Sequence, residues 1–230
     1  MKIKKLISAL VLGSMLVGLS GCNITDFSAE NLLRPPKAVG DEAEIEQLIA
    51  KTADSGYTLK YPKNGKFRSA IIMTDLDGND SNEAVAFFRN SVETSSVHML
   101  VMYSKDNSWE IASDNIFETT DIDSVDFADL TGNGKAEIIV NSTTYTPNVG
   151  KLSCYSYSEG KTNEVGSGQS CSSFVTGDFD NDGTSEIMSL VLYTTENEAL
   201  ASMLDYNEGS KSLYAKAMAN MDPNVVKYKN

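Results

Sequence analysis

Histidine, cysteine and basic residues are scarce in this chain, and each scarcity removes a class of chemistry. One histidine, His98, occurs in 230 residues, so no cluster of imidazoles can hold a zinc ion. It opens the apolar run Met99-Leu-Val-Met-Tyr103, where it reads as a strand-edge residue and not as the base of a serine triad. Carboxylates are plentiful, yet no spacing singles out two of them as a glycosidase pair. The expectation is a non-enzymatic protein. Lysine and arginine number 19 against 32 acids, a net charge of −13, and without a basic face a nucleic-acid partner is disfavoured. Such an excess suits solubility, cation binding or a cationic partner. The glycine cluster Gly166-Ser-Gly168 lacks the lysine of a phosphate loop and reads as a link between structural units.

Long apolar runs are also missing. The longest, Leu6 to Gly18, is interrupted by Gly13 and Gly18 and falls short of the ~20 residues that a membrane-spanning helix needs. It follows the basic start Met-Lys-Ile-Lys-Lys and precedes Leu19-Ser-Gly-Cys22, which together make residues 1–21 a predicted secretory signal peptide. The quartet ending at Cys22 resembles the bacterial lipobox. That resemblance implies cleavage before Cys22, a diacylglyceryl group on its thiol, and a chain held by lipid on the extracytoplasmic face of a membrane. Residues 22–40, with Pro35-Pro36, read as an extended linker. The two other cysteines, Cys154 and Cys171, either form a disulfide, as an even pair outside the cytoplasm can, or lie as two free buried thiols.

What the chain does have is a repeat. Residues 41–54 place Ile45, Leu48 and Ile49 at helical spacing, with acids in the first turn and Gly56 just beyond, predicting one short amphipathic helix. Tyr57 to Tyr61, closed by Pro62, alternates like a strand. Three segments of one layout then follow, over about 67–115, 121–166 and 170–217, with leading aspartates Asp75, Asp129 and Asp178 standing 54 and 49 residues apart. Tyr103, Tyr157 and Tyr206 each fall 28 residues after their aspartate and precede a polar turn. Strands are expected after those turns, at Trp109–Ser113, Thr162–Val165 and Ser212–Ala217. Each unit reads as strand, acidic loop, strand, link, strand, hairpin turn, strand, and periods near this length point to propeller blades. The predicted fold of residues 41–230 is mostly β: about three four-stranded propeller-type blades with a short N-terminal helix.

Within each loop, oxygen-bearing side chains recur at positions 1, 3, 5 and 9: Asp178, Asp180, Asp182 and Glu186; Asp75, Asp77, Asn79 and Glu83; and, less completely, Asp129, Asn133 and Glu137, with Thr131 in the second slot. Alternate oxygens on a tight turn converge on one point, and calcium takes six to eight of them. Backbone carbonyls at position 7, from Ser81, Lys135 and Thr184, are candidates to complete the shell. An EF-hand needs a bidentate acid at position 12, where this chain has Ala86, Val140 and Ser189.

These segments resemble the FG-GAP repeats of the integrin-α type, known in bacteria as VCBS repeats, with their core Asp-x-Asp-x-Asp-Gly-x-x-Glu between two strands of a propeller blade. The resemblance implies calcium in the loops, most fully at Asp178, Asp180, Asp182 and Glu186. Loop one departs from it in Asp80, which replaces the glycine, and loop two in Thr131. Three units are fewer than the 4 to 8 blades of a closed propeller, so an incomplete or associating array is expected, or a truncated remnant of one. Its partner would be an unidentified extracellular protein or a glycan. In the glycan case Trp109 and Tyr103, Tyr145, Tyr155, Tyr157 and Tyr193 are candidate stacking residues, although aromatics in strands more often pack in cores.

Overall fold

The computed structural model describes residues 40–54, 56–193 and 197–222. The expected signal peptide, Cys22 and nearly all of the linker lie outside the described residues. Helix α1 (Asp41–Ala53) carries Asp41, Glu42 and Glu44 in its first turn and Lys51 in its last, signs that match the helix dipole. Ile45, Ile49 and Ala53 are buried along one face, as the helical spacing predicts. It is the one helix among the described residues, and none of them forms a helix long and apolar enough to cross a membrane.

Thirteen strands follow among the described residues, in three antiparallel sheets. The first holds β1 (Tyr57–Leu59), β2 (Ile71–Thr74), β3 (Glu83–Asn90), β4 (Val97–Lys105) and β5 (Ser108–Phe117). The second holds β6 (Ile122–Ala128), β7 (Glu137–Thr143), β8 (Gly150–Ser158) and β9 (Lys161–Cys171), and the third β10 (Ser173–Gly177), β11 (Glu186–Tyr193), β12 (Glu198–Asn207) and β13 (Ser212–Met221). The second and third sheets are simple up-and-down meanders, and in the first β1 and β2 share one edge of β3. That sheet therefore has five strands. The expected hairpins form: Asp106 and Asn107 join β4 to β5, and Glu159 and Gly160 join β8 to β9, each with positive φ at both residues, as type I′ turns require.

Alternation along the central strands places the core. In β3, Val85 and Phe87 pack toward the second sheet while Ala84, Ala86 and Phe88 pack beneath α1. In β7, Ile138 and Val140 meet the first sheet and Ile139 the third. These strands bury both faces and read as continuous apolar runs. Three apolar layers result: α1 on the first sheet, first on second, second on third.

One expectation needs correction, and one open alternative is decided. Gly166-Ser-Gly168 does not link units but lies inside β9, whose pairing with β8 shifts register at Leu152/Ser153 and Cys154/Tyr155. Gly168 takes φ +91°, and a Cβ on Gly166 would stand 2.8 Å from Leu213, so one glycine serves a bulge and the other a close sheet contact. Cys154 and Cys171 are both free and buried. Across the β8–β9 ladder Cys154 faces Gly166 and Cys171 faces Gly150, so they occupy different rungs, and a bridge needs Cα atoms within about 7 Å. Burial pushes both thiols well above their usual range, that of Cys171 to about 12, which leaves them inert.

Candidate metal centres

Each acidic loop joins the first strand of its unit to the second: 75–82 between β2 and β3, 129–136 between β6 and β7, and 178–185 between β10 and β11. Position 1 organises the turn. Asp75 accepts from the N–H groups of Gly78 (2.7 Å), Asn79 (3.2 Å) and Asp80 (2.9 Å). Asp129 accepts from Asn133 (3.1 Å) and Gly134 (2.7 Å), and Asp178 from Asp182 and Gly183 (both 3.1 Å). The backbone turns through left-handed angles twice per loop, at Gly78 and Asp80, Gly132 and Gly134, Asn181 and Gly183. Position 6 was legible as the motif glycine. Position 4 was missed, although glycine or asparagine in all three loops is its signal.

Position 9 anchors the loop to the sheet. Glu83, Glu137 and Glu186 are 3%, 1% and 0% exposed, and one oxygen of each accepts at 2.8 Å from the N–H of position 2, namely Leu76, Leu130 and Phe179. The second oxygen distinguishes the loops. In loop two, Glu137 Oε1 accepts from the Thr131 hydroxyl (3.2 Å), and Oε2 takes a further bond from Thr131 N–H (3.2 Å). In loop three, Glu186 Oε1 is buried with no hydrogen-bond partner, and in loop one the same holds for Asp77 Oδ1. A buried carboxylate oxygen without a donor is costly.

These orphaned oxygens sit where acids converge. Asp178, Asp180, Asp182 and Glu186 each offer an oxygen within 4.8 Å of the others, as do Asp75, Asp77 and Glu83. Like charges at such spacing repel, least where Asp178, Asp180 and Asp182 face solvent and most around the buried Glu83 and Glu186. Burial first, then the charges of Asp77 and Asp75, raise the Glu83 carboxyl above its ordinary value, against the pull of the Leu76 N–H. The donor set is oxygen only and partly buried, which suits a hard divalent cation. Loop two brings together only Asp129 and Glu137 as carboxylates. Asn79 and Asn133 spend a side-chain oxygen on the N–H of Ser81 and Lys135, and Thr184 gives both its N–H and its hydroxyl to Asp182, holding that carboxyl below its usual range. The bonds that Ser81 and Lys135 make within their loops therefore run through their N–H groups, and those of Thr184 through its N–H and hydroxyl.

One charged neighbour had no signal in the motif. Lys216, in the irregular middle of β13, contacts Asp180 and, at 2.9 Å, Asp205. Hydrogen bonds to Asp180 and then Asp205 raise its ammonium above the ordinary lysine range. The loops also touch one another: Ala136 N–H donates to the Leu76 carbonyl (3.1 Å) and Ser185 N–H to the Asp129 carbonyl (2.8 Å). A Cβ on Gly132 would meet the Thr184 methyl at 2.6 Å. All three loops thus stand side by side.

Elsewhere the charged and aromatic groups are largely engaged, although Ser96 Oγ, Asn141 Oδ1 and Gln169 Oε1 are also buried without a hydrogen-bond partner. His98 stacks on Phe88 and holds Asp114 at 2.9 Å through Nδ1. Trp109 is 9% exposed and packs in the layer beneath α1, while Tyr103, Tyr155 and Tyr157 pack between the first two sheets. Of the candidate stacking residues only Tyr145 stands fully in solvent. A groove of about 770 Å³ is lined by Asn64, Asp121, Asp123 and Asn141 among others. Its carboxylates are already satisfied: Asp123 by Asn64 (2.9 Å), Ser124 (3.0 Å) and Asn141 (3.3 Å), and Asp121 by Lys60 and Lys63. Comparison with protein-family models and with curated proteins returns no match.

Proposed function

We propose that this chain is a calcium-stabilised, lipid-anchored binding module of the extracytoplasmic surface, built from FG-GAP/VCBS-type repeats as an incomplete propeller, without catalytic activity. The observation that carries the reading is the buried, partnerless Oε1 of Glu186 amid Asp178, Asp180 and Asp182. A cation there would satisfy that oxygen and relieve the repulsion of four acids at once. Asp75, Asp77 and Glu83 would hold a second ion, with Asn79 beside them, and loop two would hold none, because Thr131 already satisfies Glu137.

Calcium is the cation of choice because these ligands are carboxylate oxygens with no nitrogen or sulfur donor among them, and extracellular sites of this kind bind it at about 0.1 to 1 mM. Its role would be structural. With lipid on Cys22 supplying two acyl chains, attachment needs no contact between body and bilayer, which leaves the acidic body free to meet an extracellular protein or glycan. The test is calorimetric melting of the full chain with chelator and with millimolar calcium. A rise of several degrees is expected, lost in Glu186→Gln; a melting temperature unchanged by calcium overturns the reading.

A further inference from the structure

Lys216 is the bulged residue of β13. Leu204 pairs with Ala215 and Met203 with Ala217, so Lys216 has no partner across the ladder. The other fourth strands skip a residue in the same region, Ala112 in β5 and Val165 in β9, and both pack into the apolar layers between sheets. Only the third unit puts a charge there. A bulge re-aims the side chain it carries, and this one brings an ammonium to loop three, where Lys216 Nζ contacts Asp180 Oδ2 and, at 2.9 Å, Asp205 Oδ2. Asp205 is already well held, its Oδ2 by the Tyr214 hydroxyl (3.0 Å) and its Oδ1 by the Tyr206 N–H (2.7 Å). Asp180 is one of the four acids whose oxygens converge, and its Oδ1 accepts only a long bond from the Asp182 N–H (3.3 Å).

We infer that Lys216 is a tethered counter-ion of loop three, which a divalent cation displaces from Asp180 onto Asp205 alone, so that the lysine sets how tightly this loop holds its ion. This role presupposes the cation site proposed above, to which the partnerless Glu186 Oε1 points independently of the lysine. Four carboxylates with one ammonium leave three net negative charges, as many as the three acids that converge in loop one. Among the described residues no lysine or arginine forms an ion pair with Asp75, Asp77 or Glu83. The number of charges in a loop tunes its calcium affinity, and loop three therefore gains less from its fourth acid than its composition suggests. Whatever Lys216 contributes to the metal-free loop by offsetting repulsion, it takes from the binding of an ion, because the two couplings are reciprocal. The side chains of Lys216 and Asp180 are 32% and 31% exposed, so solvent tempers the effect without abolishing it.

The test is calcium titration calorimetry of the full chain in mild detergent, with Asp77→Asn throughout to disable loop one. Lys216→Met keeps the length of the side chain and removes its charge, at an exposed position where circular dichroism should not change. It should bind calcium roughly tenfold more tightly than the chain with Lys216, melt lower in chelator and gain more on adding calcium. Lys216→Arg keeps the charge and should stay near the parent affinity. A lysine that only packs, or only holds Asp180 in place, predicts the opposite sign. Equal or weaker binding in Lys216→Met therefore overturns the tethered counter-ion and leaves calcium at loop three standing, whereas no binding in either chain overturns the cation site itself and this role with it. Asp205→Asn removes the second berth, and it should weaken binding when Lys216 is present and change it little in Lys216→Met. Equal effects in the two backgrounds overturn the displacement onto Asp205.

Discussion

Thr131 does in loop two what a cation is proposed to do in loops one and three. Its N–H and hydroxyl both donate to Glu137, so the position-9 acid is satisfied by the protein alone, whereas Glu186 keeps an orphaned oxygen. Thr131→Asp should reverse that arrangement. It removes the hydroxyl donor and adds a third carboxylate beside Asp129 and Glu137, so without metal the variant loses about 1 to 2 kcal/mol. Titration calorimetry with calcium should then count one more bound ion than in the parent chain. An unchanged stoichiometry would show that the slot cannot be converted by charge alone. At this scale much was legible, because acids at positions 1, 3, 5 and 9 are fixed by side-chain type and spacing. Lys216 was not legible. It reaches Asp180 because β12 and β13 slip register at Met203/Leu204, and a bulge leaves no periodic trace in a sequence.

Among the elements, α1 has the plainest structural role, since Ile45, Ile49 and Ala53 close a sheet face that would otherwise lie open. Ile49 is 0% exposed, and Ile49→Ala should cost about 2 to 5 kcal/mol from lost burial and the cavity left behind. Urea unfolding measures it, and a loss below about 1 kcal/mol would mean that the helix is not part of the cooperative core. Apolar positions at helical spacing, acids before them and Gly56 after them made this helix readable, and the strand, acidic loop, strand layout was equally plain. The fourth strands were not. They were expected to stop at Ser113, Val165 and Ala217, yet they run to Phe117, Cys171 and Met221, passing through Asp114, Gly166 and Gly168. Pairing with a long third strand carries these residues, and register shifts absorb the misfits. Local composition says nothing of that tertiary support.

Across the whole molecule, two kinds of carboxylate respond to acid in opposite ways. Asp121 is pushed up by burial, but Lys60 and Lys63 outweigh this and hold it below its ordinary value of 3.8. Its stabilising effect is therefore complete above about pH 4 and is lost as the pH falls further, through the depressed value. Glu83 and Glu137 are raised above 4.5, chiefly by burial. Each resists ionising in the folded state, so each lowers stability as the pH rises past 4.5 through its elevated value and raises it on the way down. In chelator, stability should climb as the pH is lowered from neutral, peak on the acid side, and fall below about pH 4. Asp121→Asn should flatten the falling limb and leave the climb in place. Calcium should remove much of the climb, because an ion at Glu83 favours the ionised carboxylate and acid then displaces it. Urea denaturation at half-unit pH steps, with and without calcium, checks both limbs. A curve that is flat above pH 4.5 in chelator would mean that the folded protein bears buried charge at Glu83 and Glu137 without cost, and the electrostatic case for an ion at loop one would fall with it.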